Sequence, residues 1–318
     1  WDKHPRFMIK TTASAISWDE WAKKQGVKVV NVPVGFKEIA NIMKKVELKL
    51  KNTPQNEVII DDVLGNSINL GVNPRLLFGG EESGGMIMGT EELIKSEAGR
   101  FAIAMREKSA TEAIIVASAL ISKLQRKQVS LSEYLTEIFD ENNIIGRFDT
   151  RVDIAYYNES EPDINKLKED KAAGEAKRTK NDLFYLSMAI AVKEGKMTIE
   201  NVKEVLNNTF KSLNFDNLVS IKFVGDGTYL EFTDKYIEIR PSGTDAKTKA
   251  YGGGSNKAVI ETYANVLGNY SGDLNDFHRK YVSEELYKST KDEAMKYYLN
   301  FVDKDANNEP FVIPDYKF

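Results

Sequence analysis

Apolar and polar positions follow two different patterns along the first half of the chain, one typical of buried strands and one typical of helices. Short apolar runs typical of buried strands occur at residues 6–10, 27–32, 58–60 and 76–78. Helical patterns lie between them: Ser17, with Glu20 three positions later, forms a capping box, and Gly26 is a typical helix end. Apolar positions after Gly35 again recur at helical spacing. This alternation predicts a layered α/β domain with a mostly parallel sheet.

Two further helices are predicted before the middle of the chain. Ser109 and Glu112 form a second capping box. The helix behind it, residues 113–124, is apolar on nearly every side, which predicts a buried core helix. Residues 131–140 predict one more helix. We therefore expect the first domain to span residues 1–145.

The second half has the period-two pattern of an antiparallel sheet. Its alternating segments are residues 219–224, 228–232, 235–239 and 247–251. The turn Gly225-Asp226-Gly227 joins the first two as a hairpin, so all four strands form a meander. Helices are expected at residues 182–194, 199–213, 257–267 and 283–301. This pattern predicts a smaller α+β domain, residues 146–318, with a four-stranded antiparallel sheet.

The stretch 156–180 has no clear assignment. It is polar and rich in charge, and it contains Pro162 and Gly174. This composition is compatible with a solvated helix and equally with a loop.

Composition narrows the classes of protein. The chain has 318 residues, enough for two domains, and no cysteine, which excludes disulfides and cysteine metal sites and is compatible with the cytoplasm, where we expect the protein. A net charge of −4 argues against nucleic-acid binding. The longest strongly apolar run, 113–121, is far shorter than the ~18 residues of a membrane span. We expect neither nucleic acid nor a membrane as a partner.

A candidate phosphate-binding loop lies between the last two predicted strands. Its sequence is Arg240-Pro241-Ser242-Gly243-Thr244, followed by Lys247 and Lys249. Arginine offers a planar fork to phosphate oxygens, the hydroxyls add donors, and glycine lets backbone N–H groups turn into one concavity. The alternative from the residues alone is an ordinary β-turn.

A second candidate site follows the strand at 76–78. The loop Gly79-Gly80-Glu81-Glu82-Ser83-Gly84-Gly85 combines carboxylates and a hydroxyl on a glycine-rich backbone. Carboxylates accept the hydrogen bonds that sugar hydroxyls donate, and two acidic groups would repel a phosphate. The loop therefore suits a sugar, and a flexible solvated loop is the alternative.

Weaker signals complete the inventory. Arg106-Glu107-Lys108 precedes a helix start, where a basic pair serves a phosphate or a proton transfer or is simply solvated. Neither His4 nor His278 has metal-ligand spacing around it. Thr12-Ala13-Ser14 has no histidine base nearby in the sequence and fits a strand-to-helix connection.

Taken in order with Gly35-Phe36-Lys37, the stretches 80–85, 106–108 and 240–244 resemble the α-D-phosphohexomutase family of phosphoglucomutases and phosphomannomutases. The resemblance covers most of the chain but only the carboxyl-terminal half of the family. It implies that residues 1–145 are the third, sugar-recognition domain and residues 146–318 the fourth, phosphate-binding domain. The two amino-terminal domains of the same polypeptide and a phosphorylated hexose are then the expected partners.

The resemblance also implies roles. Such enzymes move a phosphoryl group between the 1- and 6-hydroxyls of a hexose through a phosphoserine, a bisphosphate such as glucose 1,6-bisphosphate, and Mg²⁺. The implied sugar-binding residues are Gly80, Glu81, Ser83 and Lys37. The implied phosphate-binding residues are Arg240, Ser242, Gly243, Thr244 and Lys249. Lys108 is the implied aid to proton transfer or phosphate binding.

Departures from the family pattern limit this expectation. Thr12-Ala13-Ser14 continues as Ala15-Ile16-Ser17, so the catalytic loop Thr-Ala-Ser-His-Asn-Pro is absent, as is the Asp-rich magnesium loop. Gly85, Ser109 and Ala246 replace a common histidine, aspartate and proline. We expect a substrate-binding half that is inactive alone, for glucose, mannose or both. The alternative is a non-catalytic sugar-phosphate-binding or interaction protein.

Overall fold

A computed structural model describes residues 3–95, 97, 101–105, 108–243 and 245–303. The strands are β1 Arg6–Thr11, β2 Lys28–Val32, β3 Glu57–Asp61, β4 Ser67–Val72, β5 Arg75–Gly80, β6 Met86–Met88, β7 Ile94–Lys95, β8 Phe101–Ala102, β9 Phe148–Ala155, β10 Leu218–Phe223, β11 Thr228–Phe232, β12 Lys235–Pro241 and β13 Lys247–Gly254. The helices are α1 Ile16–Lys24, α2 Phe36–Asn52, α3 Ala110–Arg126, α4 Leu131–Glu141, α5 Ile164–Lys193, α6 Ile199–Thr209, α7 Lys257–Gly268, α8 Asp276–Tyr281 and α9 Glu284–Asp303.

The first half contains the predicted, mostly parallel sheet. Its strand order is β2-β1-β5-β6, with β1 parallel to both β2 and β5 and only β6 antiparallel. Helix α2 buries Ile39, Ile42 and Met43 in the same apolar cluster as Phe7 and Ile9 of β1. The strand predicted at 58–60 exists, but it pairs with β4 in a separate hairpin. The α/β class is therefore confirmed.

The predicted capping box at the start of α1 is wrong. The helix begins two residues earlier, after Ala15, and Ser17 lies inside its first turn. Glu20 turns outward instead: its carboxylate accepts the backbone N–H of Ile145 at 2.6 Å and of Gly146 at 3.1 Å. A capping box needs its serine outside the helix, in extended geometry, and here that position belongs to Ala15. Glu20 thus ties α1 to the link between the two halves.

The prediction that residues 113–124 form a buried core helix is also wrong. The helix exists as α3, but Ile114 and Ile115 are more than 60% exposed, and Leu124 is the buried apolar side chain of its span. Its first turn is capped as expected, since Ser109 accepts the N–H of Glu112 at 3.0 Å. An all-apolar helix indicates that burial would be favourable, but it does not supply the neighbour that provides it.

The second half contains the predicted antiparallel meander and one strand more. The order is β10-β11-β12-β13-β9, so β9 adds a fifth strand beside β13. Polar side chains such as Asp149, Arg151 and Asp153 hide the strand pattern of β9, although Val152 and Ile154 alternate with them toward the core. The antiparallel class of this sheet is confirmed.

Helix α5 contains most of the stretch that the sequence left open. It runs for 30 residues, and its second part buries Phe184, Tyr185 and Leu186 in the core. The short helix α8 was not predicted; its His278 is fully buried, with Nε2 2.9 Å from the Ser187 hydroxyl, so it is a core residue. Among the described residues, no helix is long and apolar enough to cross a membrane.

The polar face of the antiparallel sheet packs against the first half. The Tyr236 hydroxyl donates toward the carbonyls of Ala13 at 3.2 Å and Ser14 at 3.3 Å. Helix α9 returns to the first half at its far end, where Tyr298 hydrogen-bonds Glu38. These contacts set the loop after β5 opposite strands β9, β12 and β13.

Candidate functional site

The loop after β5 is a tight turn that its own backbone closes. The N–H of Glu81 donates to Gly85 O at 3.0 Å, and the N–H of Gly84 donates to Glu81 O at 3.1 Å. The turn therefore links β5 to its antiparallel neighbour β6 as a hairpin. Gly80, the last residue of β5, fixes where the turn begins.

Three of the predicted site residues meet at one carboxylate oxygen. Oε1 of Glu81 accepts a hydrogen bond from the Ser83 hydroxyl at 2.7 Å and lies 3.2 Å from Nζ of Lys108. Glu81 is 8% exposed, whereas the Lys108 side chain is 52% exposed. A Cβ on Gly85 would lie 2.9 Å from Cδ of Lys108, so the bare glycine leaves room for this ion pair. Arg106 and Glu107 lie outside the described residues.

Glu82 joins the turn to the second half. Its Oε1 accepts a hydrogen bond from the Tyr251 hydroxyl at 3.3 Å, and its Oε2 accepts one from Thr11 at 3.3 Å. Burial raises the pKa of Tyr251, and Glu82 adds to that effect while Arg240 and Arg151 oppose it. Tyr251 thus stands between the acidic turn and the basic residues of the sheet. Sequence reasoning missed it because Tyr251 is 169 residues from Glu82.

A cavity of about 410 Å³ separates the turn from the sheet. Its aromatic side is formed by Trp18 and Phe78, whose rings meet edge to face with centroids 5.2 Å apart. The residues that line it are Ala13, Ala15, Trp18, Phe78, Glu81, Glu82, Gly84, Gly85, Met86, Asp149, Thr150, Arg151 and Tyr251. Aromatic surface beside carboxylates and an arginine suits a polar, ring-shaped ligand.

A larger cavity, about 770 Å³, lies elsewhere, between α2, the β3–β4 hairpin and α9. None of the residues predicted from the sequence is among those that the structure shows lining it. We therefore take the smaller cavity as the candidate site, because it joins the turn to the sheet.

Arg240 lies on β12 opposite Lys249 of β13, as the predicted meander requires. Its guanidinium makes a bidentate pair with Asp226, with Nε to Oδ1 at 3.0 Å and Nη2 to Oδ2 at 2.6 Å. Burial alone would lower the pKa of Arg240, but the Asp226 carboxylate outweighs it and raises that pKa. The predicted turn at 225–227 is present, and sequence reasoning missed that Asp226 orients Arg240.

The loop after Arg240 has one buried and one open position. Ser242 is 5% exposed, and its N–H donates to Lys247 O at 2.8 Å. Gly243 is exposed, with open space where a side chain would be. Thr244, which the sequence also predicts in this site, lies outside the described residues.

Lys37, a predicted sugar-binding residue in the first turn of α2, contacts Tyr298 in the carboxyl-terminal part of α9. Its side chain is 74% exposed, and Nζ is 3.6 Å from Oε1 of Glu38 and 5.7 Å from the centre of the Tyr298 ring. The hydrogen bond with Tyr298 is the main cause that raises the pKa of Lys37. The contacts of Lys37 are thus with the helix that bridges the two halves.

Buried acids accompany Arg240 on the polar face of the sheet. Glu238, two residues earlier on β12, is fully buried, and burial raises its pKa to about 8 against the opposing effects of Thr12 and Arg240. Burial likewise raises the pKa of Asp149 on β9 to about 6. Proton occupancy of this face therefore changes near neutral pH.

The described residues do not fit the Mg²⁺ ion that the family resemblance implies. Within them, no group of three or more histidine, aspartate or glutamate side chains is arranged to hold a metal ion. Ser14 of the Thr-Ala-Ser stretch is fully buried, and its hydroxyl lies 2.8 Å from that of Thr11.

Comparison with known proteins gives one sequence-profile match, over the first part of the chain. The sequence profile described as "Phosphoglucomutase/phosphomannomutase, alpha/beta/alpha domain III" matches residues 1–141. None of the curated proteins matches the chain.

Two solved structures are similar over much of this chain. One, described as a phosphomannomutase from Thermus thermophilus, is 12% identical with a TM-score of 0.38 over 82% of this chain and 35% of its own. The other, a phosphoglucomutase/phosphomannomutase family protein from Burkholderia thailandensis, is 11% identical with a TM-score of 0.35 over 91% of this chain and 39% of its own. The chain thus spans less than two fifths of either structure. Through the match over residues 1–141, the first part of the chain is similar to domain III of phosphoglucomutases and phosphomannomutases.

Proposed function

We propose that this chain is the substrate-binding half of a phosphohexomutase, an isomerase that interconverts hexose 1-phosphate and hexose 6-phosphate, with glucose, mannose or both as the sugar. The observation that carries the proposal is the shared cavity, in which the acidic turn at Glu81 faces the sheet that bears Arg151 and Tyr251. A sugar phosphate needs one wall that accepts hydroxyls and another that binds an anion.

The proposal divides the chain into a sugar-recognition domain, residues 1–145, and a phosphate-binding domain, residues 146–318. Two separate apolar cores support this division. One lies within the first 104 residues, and the other begins at Ile154 and continues to Ala294. Each core is large enough to belong to a domain of its own.

At the sugar end, Glu81 and Ser83 bind the hydroxyls of the hexose. The buried carboxylate accepts hydrogen bonds, and the exposed Ser83 donates or accepts one. Lys108 keeps a positive charge beside Glu81, where it binds a phosphate oxygen or assists a proton transfer. Gly80 positions the turn, and Lys37 approaches from the start of α2.

At the phosphate end, Arg240 and the loop that follows it bind the phosphate that is not transferred. Asp226 orients the guanidinium through Nε and Nη2, and the guanidinium also hydrogen-bonds Tyr251. A phosphate oxygen accepts from the N–H groups that remain. The Ser242 hydroxyl, the Gly243 N–H and the hydroxyl of Thr244 add donors, and Lys249, opposite Arg240 on β13, adds a positive charge for the phosphate.

The chain binds and orients the sugar phosphate, and the remaining chemistry comes from the amino-terminal domains of the same polypeptide. Those domains supply the phosphoserine and the Mg²⁺ site, and glucose 1,6-bisphosphate is the intermediate. The burial of Ser14 supports this division of labour, because a buried hydroxyl cannot reach a phosphoryl group in a cleft.

Two measurements on the purified 318-residue chain test the proposal. Titration with glucose 1-phosphate, followed by amide NMR, should shift resonances of both the 80–85 turn and the 240–247 loop. A coupled assay with glucose 1,6-bisphosphate and Mg²⁺ should give no turnover. Robust turnover would refute the half-enzyme assignment, and an absence of shifts at millimolar ligand would refute the binding role.

A further inference from the structure

Three residues of the stretch 156–180 converge on the loop after Arg240. The Tyr157 hydroxyl donates to Oδ1 of Asp245 at 2.7 Å, and Nζ of Lys171 lies 2.9 Å from the same oxygen. Nη1 of Arg178 donates to two backbone carbonyls of the loop, Ser242 O at 2.9 Å and Asp245 O at 2.8 Å. Arg178 therefore bridges the two ends of the segment 242–245.

The contacts of Lys171 and Arg178 come from one face of α5, and Tyr157 precedes the helix. Lys171, Gly174 and Arg178 are spaced three and four residues apart, which places them on the same side of a helix. Gly174 lets that side approach the end of β9: a Cβ there would lie 3.0 Å from the carbonyl oxygen of Tyr156. The glycine that suggested a loop in the sequence is thus a point of close helix packing.

The two carbonyl contacts constrain where the loop's N–H groups point. In a planar trans peptide, the C=O and the following N–H lie on opposite sides of the chain. Because Arg178 holds the Ser242 carbonyl toward α5, the N–H of Gly243 is directed away from α5. The N–H of Ser242 is already used by Lys247 O, which closes the loop from within.

The anchored carboxylate fixes the other end of the segment. Hydrogen bonds from Tyr157 and then Lys171 hold the pKa of Asp245 well below its usual range, so it stays ionised at neutral pH. Asp245 also accepts the N–H of Ala246 at 3.0 Å. Ala246 lacks the fixed φ that a proline would give, so these contacts supply order that the local sequence does not.

We propose that Arg178 is a positioning residue for the phosphate loop, and that Tyr157 and Lys171 assist it by anchoring Asp245. The ligand class is the phosphate group of a sugar phosphate, so the inference rests on the proposed function. Arg178 acts on the ligand through the backbone: it holds the Gly243 N–H in a donor orientation before phosphate arrives. A loop ordered in advance loses less conformational freedom on binding, which strengthens affinity.

The experiment compares Arg178→Gln and Arg178→Lys with Lys177→Gln, an exposed neighbour on the same helix. Hydrogen exchange at the Ser242 and Lys247 amides is measured by NMR without ligand, and the Gly243 amide shift and affinity are measured during titration with glucose 1-phosphate. Arg178→Gln should speed exchange at both amides, reduce the Gly243 shift and weaken affinity roughly tenfold. Arg178→Lys should change each of these measurements less than Arg178→Gln does, and Lys177→Gln should match the wild type.

A urea unfolding curve for each variant separates a local effect from general instability, since only a local effect leaves the midpoint near that of the wild type. If Arg178→Gln had the same amide exchange, Gly243 shift and affinity as the wild type, the proposal would be overturned while the proposed function stands. If the wild type does not bind glucose 1-phosphate, the proposed function fails and the ligand role of Arg178 fails with it. Exchange at Ser242 and Lys247 then reports on loop ordering alone.

Discussion

The turn at residues 80–85 and the loop at 240–247 are built in opposite ways. In the turn, Glu81 is supported from nearby: Ser83 bonds it from two residues away, and Lys108 reaches it from 27 residues away. Within the described part of the chain, only Glu82 of the turn bonds the second half, through Tyr251. The loop depends on Arg178, 64 and 67 residues from its two carbonyl partners, and on Tyr157, 88 residues from Asp245. Where the contacts that order a site come from nearby residues, a short stretch of sequence predicts both the site and those contacts. Where they come from distant residues, the same stretch predicts only the donors and acceptors of the site.

The two regions also differ in how their charges are compensated. The Glu81–Lys108 pair has a half-exposed lysine, so water shares in its stabilisation. Arg240 is 11% exposed and lies near the buried Glu238, so its charge is compensated inside the protein. Changes of pH and charge should therefore affect the phosphate side more strongly than the sugar side.

The largest expected effect is on the stability of Glu238→Gln at pH 8. The pKa of Glu238 is about 8 in the folded protein and has an ordinary value of 4.5 when unfolded. Between these values the unfolded chain releases a proton that the folded protein keeps, so wild-type stability falls as pH rises and is higher below pH 4.5. Glutamine stays neutral, so the variant should gain on the order of 2–4 kcal/mol relative to wild type between pH 5 and pH 8.

Urea unfolding at both pH values measures this gain. Glu137→Gln, on the exposed side of α4, is the matched control and should show no difference from wild type in its response between pH 5 and pH 8. Burial also raises the pKa of Asp182 to about 7 and that of Asp149 to about 6. A smaller loss of stability with rising pH should therefore remain in Glu238→Gln, whereas wild type and control should show the full loss. An equal pH response in Glu238→Gln and wild type would show that the phosphate side is not the pH-sensitive one.

The next effect in size concerns binding. Arg240→Ala should weaken glucose 1-phosphate binding by roughly 1.5–3 kcal/mol, the scale of a hydrogen bond to a charged group. Calorimetry measures the affinity, with Arg126→Ala at the exposed end of α3 as the control for loss of one positive charge. Equal affinity in Arg240→Ala and the control would refute the role of Arg240 in phosphate binding, and the contrast between a sugar turn and a phosphate loop would no longer hold.

The smallest effect is expected at the turn. Lys108→Met should change the free energy of unfolding by less than about 1 kcal/mol, because an ion pair with an exposed lysine contributes little to stability. Urea unfolding at neutral pH checks this, with Lys123→Met on α3 as the control. A loss as large as the pH effect at Glu238 would mean that the turn, too, depends on more than its own residues.

Much of the fold follows from local pattern. The parallel strands, the meander and the hairpin turn at 225–227 were predictable because period and turn residues are properties of a short window. Strand β9 was not, because its outward positions are polar and its pairing partner β13 lies about a hundred residues away. The prediction that α3 is buried was wrong for a related reason: the apolar composition of a helix does not show which other element packs against it.

The candidate site divides in the same way. The donors and acceptors at Glu81, Ser83 and Arg240 were predictable from residue type and turn chemistry. Asp226, Tyr251 and Arg178 were not, because their roles arise from contacts between distant segments. The spacing of Lys171, Gly174 and Arg178 on one helical face was the signal that could have indicated α5.

Helix α9 gives the cleft a mechanical limit. It packs on α5 in the second half and ends against the first, where Tyr298 bonds Glu38 and the Phe301 carbonyl accepts Lys45 at 2.7 Å. Tyr236 and Tyr251 also bond the first half directly, at Ala13 and Glu82. Separating the sugar turn from the sheet therefore requires breaking the Tyr251–Glu82 hydrogen bond, while α9 keeps the two halves attached.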